Sequence, residues 1–181
     1  MLHLQPAERV LEVGFGTGNE ILDLAKLVGP AGKVSGIDIS PGMLAVAQRK
    51  VSREALPTPI DLRAVDAREL PYDSGSFDCV YSSFTLELFP EELAEIGRVL
   101  HNGGRLAAVS MAKVKPGEGV SMLERTYVWM HRHFPHIVDC RPIDLAALLA
   151  AAGFHVLKKT GVEIWTMPVA AVLAGKGSVS Q

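Results

Sequence analysis

The sequence predicts one α/β domain built on a mostly parallel sheet, covered by helices on both faces and finished at its C-terminal edge by an antiparallel hairpin. Three observations predict it. A β-rich run meets a glycine loop and then a helical pattern within the first 30 residues. Strands and helices then keep alternating, which is the pattern of a parallel sheet with crossover helices. The last two β-rich runs lie too close together for a parallel crossover, which needs a dozen or more residues.

Taken in order, Arg9 to Val13 (RVLEV) reads as the first strand and ends at GFGTG. Ile21, Leu22, Ala25 and Val28 follow at helical spacing until Gly29-Pro30 stops the helix. Lys33 to Ile39 (KVSGIDI) is the second strand, after which Ser40 as N-cap and Pro41 in the first turn open a helix to about Arg53. Ile60 to Val65 makes a third strand and Phe77 to Ser82 a fourth. Leu106 to Ser110 makes a fifth, reached through a helix from Pro90 to Leu100 and a turn at Asn102-Gly103-Gly104. A helix from Ile143 to Ala152, closed by Gly153, leads to strands Phe154 to Thr160 and Val169 to Ala174, about eight residues apart.

The chain has 181 residues, 48% of them hydrophobic, so residues 1–181 are expected to form a single domain. Its 18 basic and 20 acidic residues give a net charge of -2. That balance supplies no basic field for a polyanion, and no nucleic-acid partner is expected. Cys79 and Cys140 form no CxxC pair, which excludes a disulfide framework and a cysteine-built zinc site and suits a reducing compartment. The start, MLHLQPAERV, lacks the cationic and apolar regions of a signal peptide, and no run approaches the ~18 apolar residues of a membrane span. A cytoplasmic protein with no membrane association is expected.

In GFGTG, Gly14, Gly16 and Gly18 remove side chains where the chain turns from strand to helix, so a ligand can approach the backbone N–H groups and the positive end of the helix. Asp38 ends the second strand twenty residues after Gly18, and in a parallel pair its carboxylate lies beside that loop, placed to accept from two ribose hydroxyls. Both features fit any adenosine-bearing ligand. The dinucleotide pattern GxGxxG fails because Asn19 follows Gly18, whereas GxGxG is intact, and GxxxxGK[ST] is absent. No tyrosine carries a lysine four positions on, so an NAD-dependent oxidoreductase is left without its usual proton donor.

With these residues in view, VLEVGFGTG, GIDISPGML, VDARELPYDSGSFDCVYSSFTLELF and EIGRVLHNGGRLAAVS resemble, in order and spacing, the motifs of class I S-adenosylmethionine-dependent methyltransferases. The flavour is that of the ubiquinone/menaquinone C-methyltransferase-like small-molecule group, and IWTMPVAAVLAGK is similar to that group's final strand. The resemblance implies a Rossmann-like three-layer sandwich with a seven-stranded sheet whose last strand is antiparallel. It implies S-adenosylmethionine as cofactor and methyl transfer to a small-molecule acceptor, with carbon or oxygen nucleophiles favoured. Carried over by position, it puts Glu12 and the backbone of Gly14, Phe15, Gly16 and Gly18 around the methionine part. Asp38 falls on the ribose, Ile39 and Met43 against adenine, and Asp66 and Ala67 on the adenine edge. Ser82 and Ser83 would floor the site beneath the sulfonium. Apart from the resemblance, Asp66 can also be read as a cap for the turn from Arg68 to Leu70.

In-line methyl transfer demands alignment and exclusion of water more than acid chemistry. No catalytic residue is named by the sequence; Glu87, His131, His133 and His136 are the candidate bases. On a helix the first two histidines point about 200° apart, so no metal site is expected. Residues 111–136 follow the fifth strand and are expected to cover the acceptor. Within them Leu123, Tyr127, Met130 and Phe134 make a core stripe, and Trp129 falls off it, facing acceptor or partner. The first strand begins by Arg9, without the N-terminal helices that usually roof the cofactor in the family, which allows a homo-oligomer or partner chain to complete the site. Two further classes stay open: a non-catalytic S-adenosylmethionine-binding subunit and an NAD-dependent oxidoreductase.

Overall fold

The computed structural model describes residues 3–86, 91–112, 142–164 and 167–177. Seven strands form one sheet: β1 (Arg9–Val13), β2 (Lys33–Asp38), β3 (Ile60–Ala64), β4 (Phe77–Ser83), β5 (Leu100–Met111), β6 (Phe154–Ile164) and β7 (Met167–Lys176). Their spatial order is β3-β2-β1-β4-β5-β7-β6. The first five pair in parallel, whereas β7 runs antiparallel between β5 and β6. This is the expected α/β sandwich with its antiparallel C-terminal pair.

Helices α1 (Asn19–Val28) and α2 (Pro41–Glu54) cover one face, where Ile21, Leu24, Ala25 and Val28 meet Val10, Val34 and Cys79. Helices α3 (Glu92–Val99) and α4 (Leu145–Ala151) cover the other, with Ile96, Leu145 and Leu149 against Leu11, Val13, Val80 and Leu106. The strand periodicity explains the split, since neighbours along β1 point to opposite faces. Ser40 caps α2 by accepting from the Met43 N–H, as its position predicts.

Two elements depart from the sequence reading. The turn expected at Asn102–Gly104 is absorbed into β5: Leu100 pairs with Phe77 and Arg105 with Cys79, so the intervening residues bulge out of the ladder. Gly103, at φ +83°, supplies the left-handed residue that such a bulge needs. The final strands are longer than expected, pairing from Phe154 with Lys176 to Ile164 with Met167, because Gly161 to Ile164 and Met167-Pro168 continue the ladder between the two runs. Glu87, His131, His133, His136, Tyr127, Trp129 and, beyond Ala112, the acceptor-covering segment 111–136 lie outside the described residues.

After β3 the chain must cross to β4, on the far side of β1, and it does so without a helix. Its irregular backbone is satisfied by α3: the Leu70 N–H donates to Glu95 Oε2 at 2.9 Å, and Arg98 donates to the carbonyls of Tyr72 (2.7 Å) and Leu70 (2.9 Å). The reversal of strand order between β1 and β4 leaves a crevice at the C-terminal ends of these strands.

Candidate functional site

A crevice of about 280 Å³ opens at that switch point, lined at its β1 and β2 side by Gly14, Asp38 and Ile39, after β3 by Asp66, Ala67 and Arg68, and after β4 by Ser83, Phe84 and Thr85. A larger groove of about 530 Å³ lies elsewhere, between α1 and the inner strands, lined by Leu24, Leu27, Tyr81 and Ala107. The smaller crevice is the better functional candidate because polar groups from separate strand ends converge in it.

The glycine loop is held directly by the strand-end carboxylate. Asp38 Oδ2 accepts from the Gly16 N–H and Oδ1 from the Ser40 N–H, both at 2.8 Å. A carboxylate has about four acceptor positions, so two stay open toward the crevice. Three further loop donors turn inward: Gly14 N–H and Phe15 N–H reach the Ile37 carbonyl at 2.9 and 3.2 Å, and Gly18 N–H the Phe15 carbonyl at 2.8 Å. The N–H groups of Gly14, Phe15, Gly16 and Gly18 are thus bonded within the chain, which narrows the set of bare donors the glycine pattern suggests. The chain spends those donors on its own folding, and Phe15 itself is buried against α1.

All three loop glycines have positive φ, at 78°, 52° and 74° for Gly14, Gly16 and Gly18. Two are also required by close neighbours. A Cβ on Gly14 would fall 2.1 Å from Thr85 Oγ1, and one on Gly18 2.8 Å from the Ala47 Cβ of α2. Gly16 has open space, so its backbone alone is constrained.

Glu12 lies under the loop at 1% exposure, with Oε2 unpartnered. Burial, reinforced by Glu20 and Asp38, pushes its carboxyl up to about 8. Ser82 Oγ is likewise buried and unpartnered, while Ser83 lines the crevice. Asp66 shows the turn-cap geometry: Oδ1 accepts the Arg68 N–H at 2.9 Å, and Arg68 pairs with the same carboxylate, holding it down at about 2. Both Asp66 oxygens accept from Arg68, Oδ1 from its N–H and Nε and Oδ2 from Nε and Nη2, and the pair lines the crevice beside Ala67. Ile39 (64%) and Phe84 (36%) are exposed apolar side chains that line the crevice, whereas Met43 (40%), exposed in the first turn of α2, is not among its lining residues. Phe84 has φ +53°, a strained conformation for a bulky residue and a common mark of functional strand ends.

The sequence carried no signal for Phe84, Thr85 or Glu92, which reach the crevice only because β4 lies beside β1. Among the described residues no cluster of three or more metal-ligating side chains occurs, and no helix is long and apolar enough to cross a membrane.

Fold and crevice together define a Rossmann-like α/β protein with an acidic, nucleoside-sized site at its switch point. Residues 10–104 match the methyltransferase domain family, and the chain belongs to it. A demethylmenaquinone methyltransferase of Thermus thermophilus is 32% identical across 93% of this chain and 82% of its own length. That of Symbiobacterium thermophilum is 38% identical over 61% of this chain. The chain spans 45% of the length of the Symbiobacterium protein and 40% of its Lactococcus lactis counterpart. Among solved structures, an S-adenosylmethionine-dependent methyltransferase of Aquifex aeolicus aligns at TM-score 0.73 with 24% identity, covering 96% of this chain and 85% of that one. A [4+2]-cyclase shares the fold at TM-score 0.77 and 23% identity, covering 96% of this chain and 76% of that one. Seven strands with a reversed β7 are thus the fold this chain shares with these solved structures.

Proposed function

We propose that the chain transfers a methyl group from S-adenosylmethionine to a small-molecule carbon or oxygen nucleophile. The observation that carries this reading is the Asp38 carboxylate, fixed by Gly16 and Ser40 yet with acceptor positions open to the crevice. The donor set fits the cofactor. Carboxylates at Asp38 and Asp66 suit hydroxyls and an amino group, and the apolar side chains of Ile39 and Phe84 suit a purine face. The Asp38 and Asp66 carboxylates repel a pyrophosphate, and with the N–H groups of Gly14, Phe15, Gly16 and Gly18 already engaged the loop has few donors to offer one, which argues against the NAD-dependent alternative.

When bound, S-adenosylmethionine supplies a methyl on a sulfonium whose charge is lost on transfer. The chain's residues bind and orient. Asp38 accepts from the ribose hydroxyls, Asp66 and the Ala67 N–H take the adenine edge, and Ile39 and Met43 pack the ring. Glu12 and the loop from Gly14 to Gly18 hold the methionine part, with Ser82 and Ser83 beneath the sulfur. Transfer then needs alignment and a dry site rather than an acid.

For the acceptor, the names of the relatives direct attention to demethylmenaquinone. A quinone ring is electrophilic, so the reacting form is the reduced quinol, whose ring carbon beside a hydroxyl is nucleophilic. Calorimetric titration with S-adenosylhomocysteine and with NADH tests the cofactor. Binding of the first alone supports the reading, and binding of NADH alone overturns it. Methyl incorporation into reduced demethylmenaquinone, followed by mass spectrometry, tests the acceptor; cofactor binding without turnover on any quinol or phenol favours a non-catalytic subunit.

A further inference from the structure

One acidic side chain in the crevice has no role in the foregoing reading. Glu92, the first residue of α3, is 4% exposed, lines the crevice, and has a buried Oε2 with no hydrogen-bond partner. A buried, unpartnered carboxyl costs stability, and an exposed acid would serve the helix N-terminus as well. The position therefore asks for a ligand. Glu92 also lies at a definite end of the site. The charges that act on it are Asp66, Glu91 and Arg68, whereas those acting on Glu12 are Glu20 and Asp38. Glu92 lines the same crevice as Asp66, Ala67 and Arg68 of the turn after β3. Burial first, then Asp66 and Glu91, raise its carboxyl to about 7 against the pull of Arg68.

An exocyclic amino group on a purine carries two hydrogens, and the Asp66 carboxylate with the Ala67 N–H can occupy only the edge on one side of it. We infer that Glu92 is a second base-reading residue of this crevice, accepting the amino hydrogen that Asp66 does not take and so selecting a 6-amino over a 6-oxo purine. The inference rests on the adenosyl reading of the site. A site built to bond an amino group rejects a 6-oxo purine above about pH 7, where the ionised, buried acceptor would face a carbonyl oxygen.

The test uses the full chain, titrated with S-adenosylhomocysteine and with S-inosylhomocysteine, its 6-oxo counterpart. Wild type is expected to prefer the adenosyl compound. Glu92→Ala should weaken that compound roughly tenfold and the inosyl compound little, so that the preference shrinks. Glu92→Gln, whose amide can accept from a 6-amino group or turn its N–H toward a 6-oxo group, should keep adenosyl binding and lose most of the preference by gaining the inosyl compound. Ligand-free Glu92→Ala should melt at the wild-type temperature or above, because the lost group had no partner. Equal weakening of both ligands, unchanged affinity, or a lowered melting temperature in both variants with the preference intact would overturn the inference. Failure of wild type to bind S-adenosylhomocysteine would instead strike the adenosyl reading beneath it.

Discussion

Glu12 and Asp38 stand one strand apart at the same edge of the sheet, yet their environments set them different tasks. Asp38 is satisfied by two backbone donors, whereas Glu12 is buried with one oxygen unpartnered. The sign of the resulting pH dependence follows from protons bound. Below about pH 4.5 native and unfolded chains both keep the Glu12 proton; between about 4.5 and 8 the native state keeps it and the unfolded state releases it, so raising the pH favours unfolding. Glu92 acts in the same direction over about 4.5 to 7. Urea denaturation of the ligand-free protein at pH 5, 6.5 and 8 should therefore show stability falling with pH, and Glu12→Gln should flatten that slope and be the more stable chain at pH 8. Asp38→Ala should weaken S-adenosylhomocysteine binding by about 1.5 to 3 kcal/mol, the usual loss for hydrogen bonds to a charged group, as read by calorimetry. Asp38 was legible from the sequence because strand end and glycine loop lie close in the chain. The internal bonding of the loop was not, since a glycine pattern does not say which carbonyl its donors meet.

At the scale of elements, the site depends on how closely the first helices approach the sheet. Gly36 in β2 is a packing requirement, because a Cβ there would fall 2.7 Å from Ile21 Cδ1 of α1 and 2.8 Å from Leu62 Cδ2 of β3. Gly36→Val should cost about 1 to 3 kcal/mol by overpacking and loosen the loop that precedes α1; a lowered thermal midpoint together with weaker S-adenosylhomocysteine binding checks it. The helix-free crossing from β3 to β4 is held by two side chains of α3, Glu95 and Arg98. Arg98 satisfies two carbonyls there and is oriented by Glu95 at 2.7 Å. Arg98→Leu leaves both carbonyls without that donor and should destabilise by roughly 1 to 3 kcal/mol, measured by urea denaturation. Element bounds read from periodicity and capping agree closely for β1, α1, β2, α2 and β3, where turn chemistry is local. They fall short at β5, where an apparent turn is a bulge held by the partner strand.

Across the whole molecule, stability should be graded outward from β1 and β4. Val10, Leu11, Val13, Cys79 and Val80 are fully buried, whereas Arg63 and Ala64 on edge strand β3, and Leu157 and Val162 on edge strand β6, are exposed. Amide hydrogen exchange followed by mass spectrometry should show the slowest exchange in β1 and β4 and faster exchange in β3 and β6, with uniform rates across the sheet counting against this gradient. The sequence by itself determined the succession of elements, the glycine loop, Asp38 and the antiparallel final pair, because periodicity, turn residues and loop length act between neighbours in the chain. Only the tertiary structure decided that Thr85 closes over Gly14, that Glu12 is buried without a partner, and that Glu92 enters the crevice beside Asp66. Those contacts depend on which strands become adjacent, and adjacency between distant segments is fixed by burial across the whole sheet rather than by any local pattern.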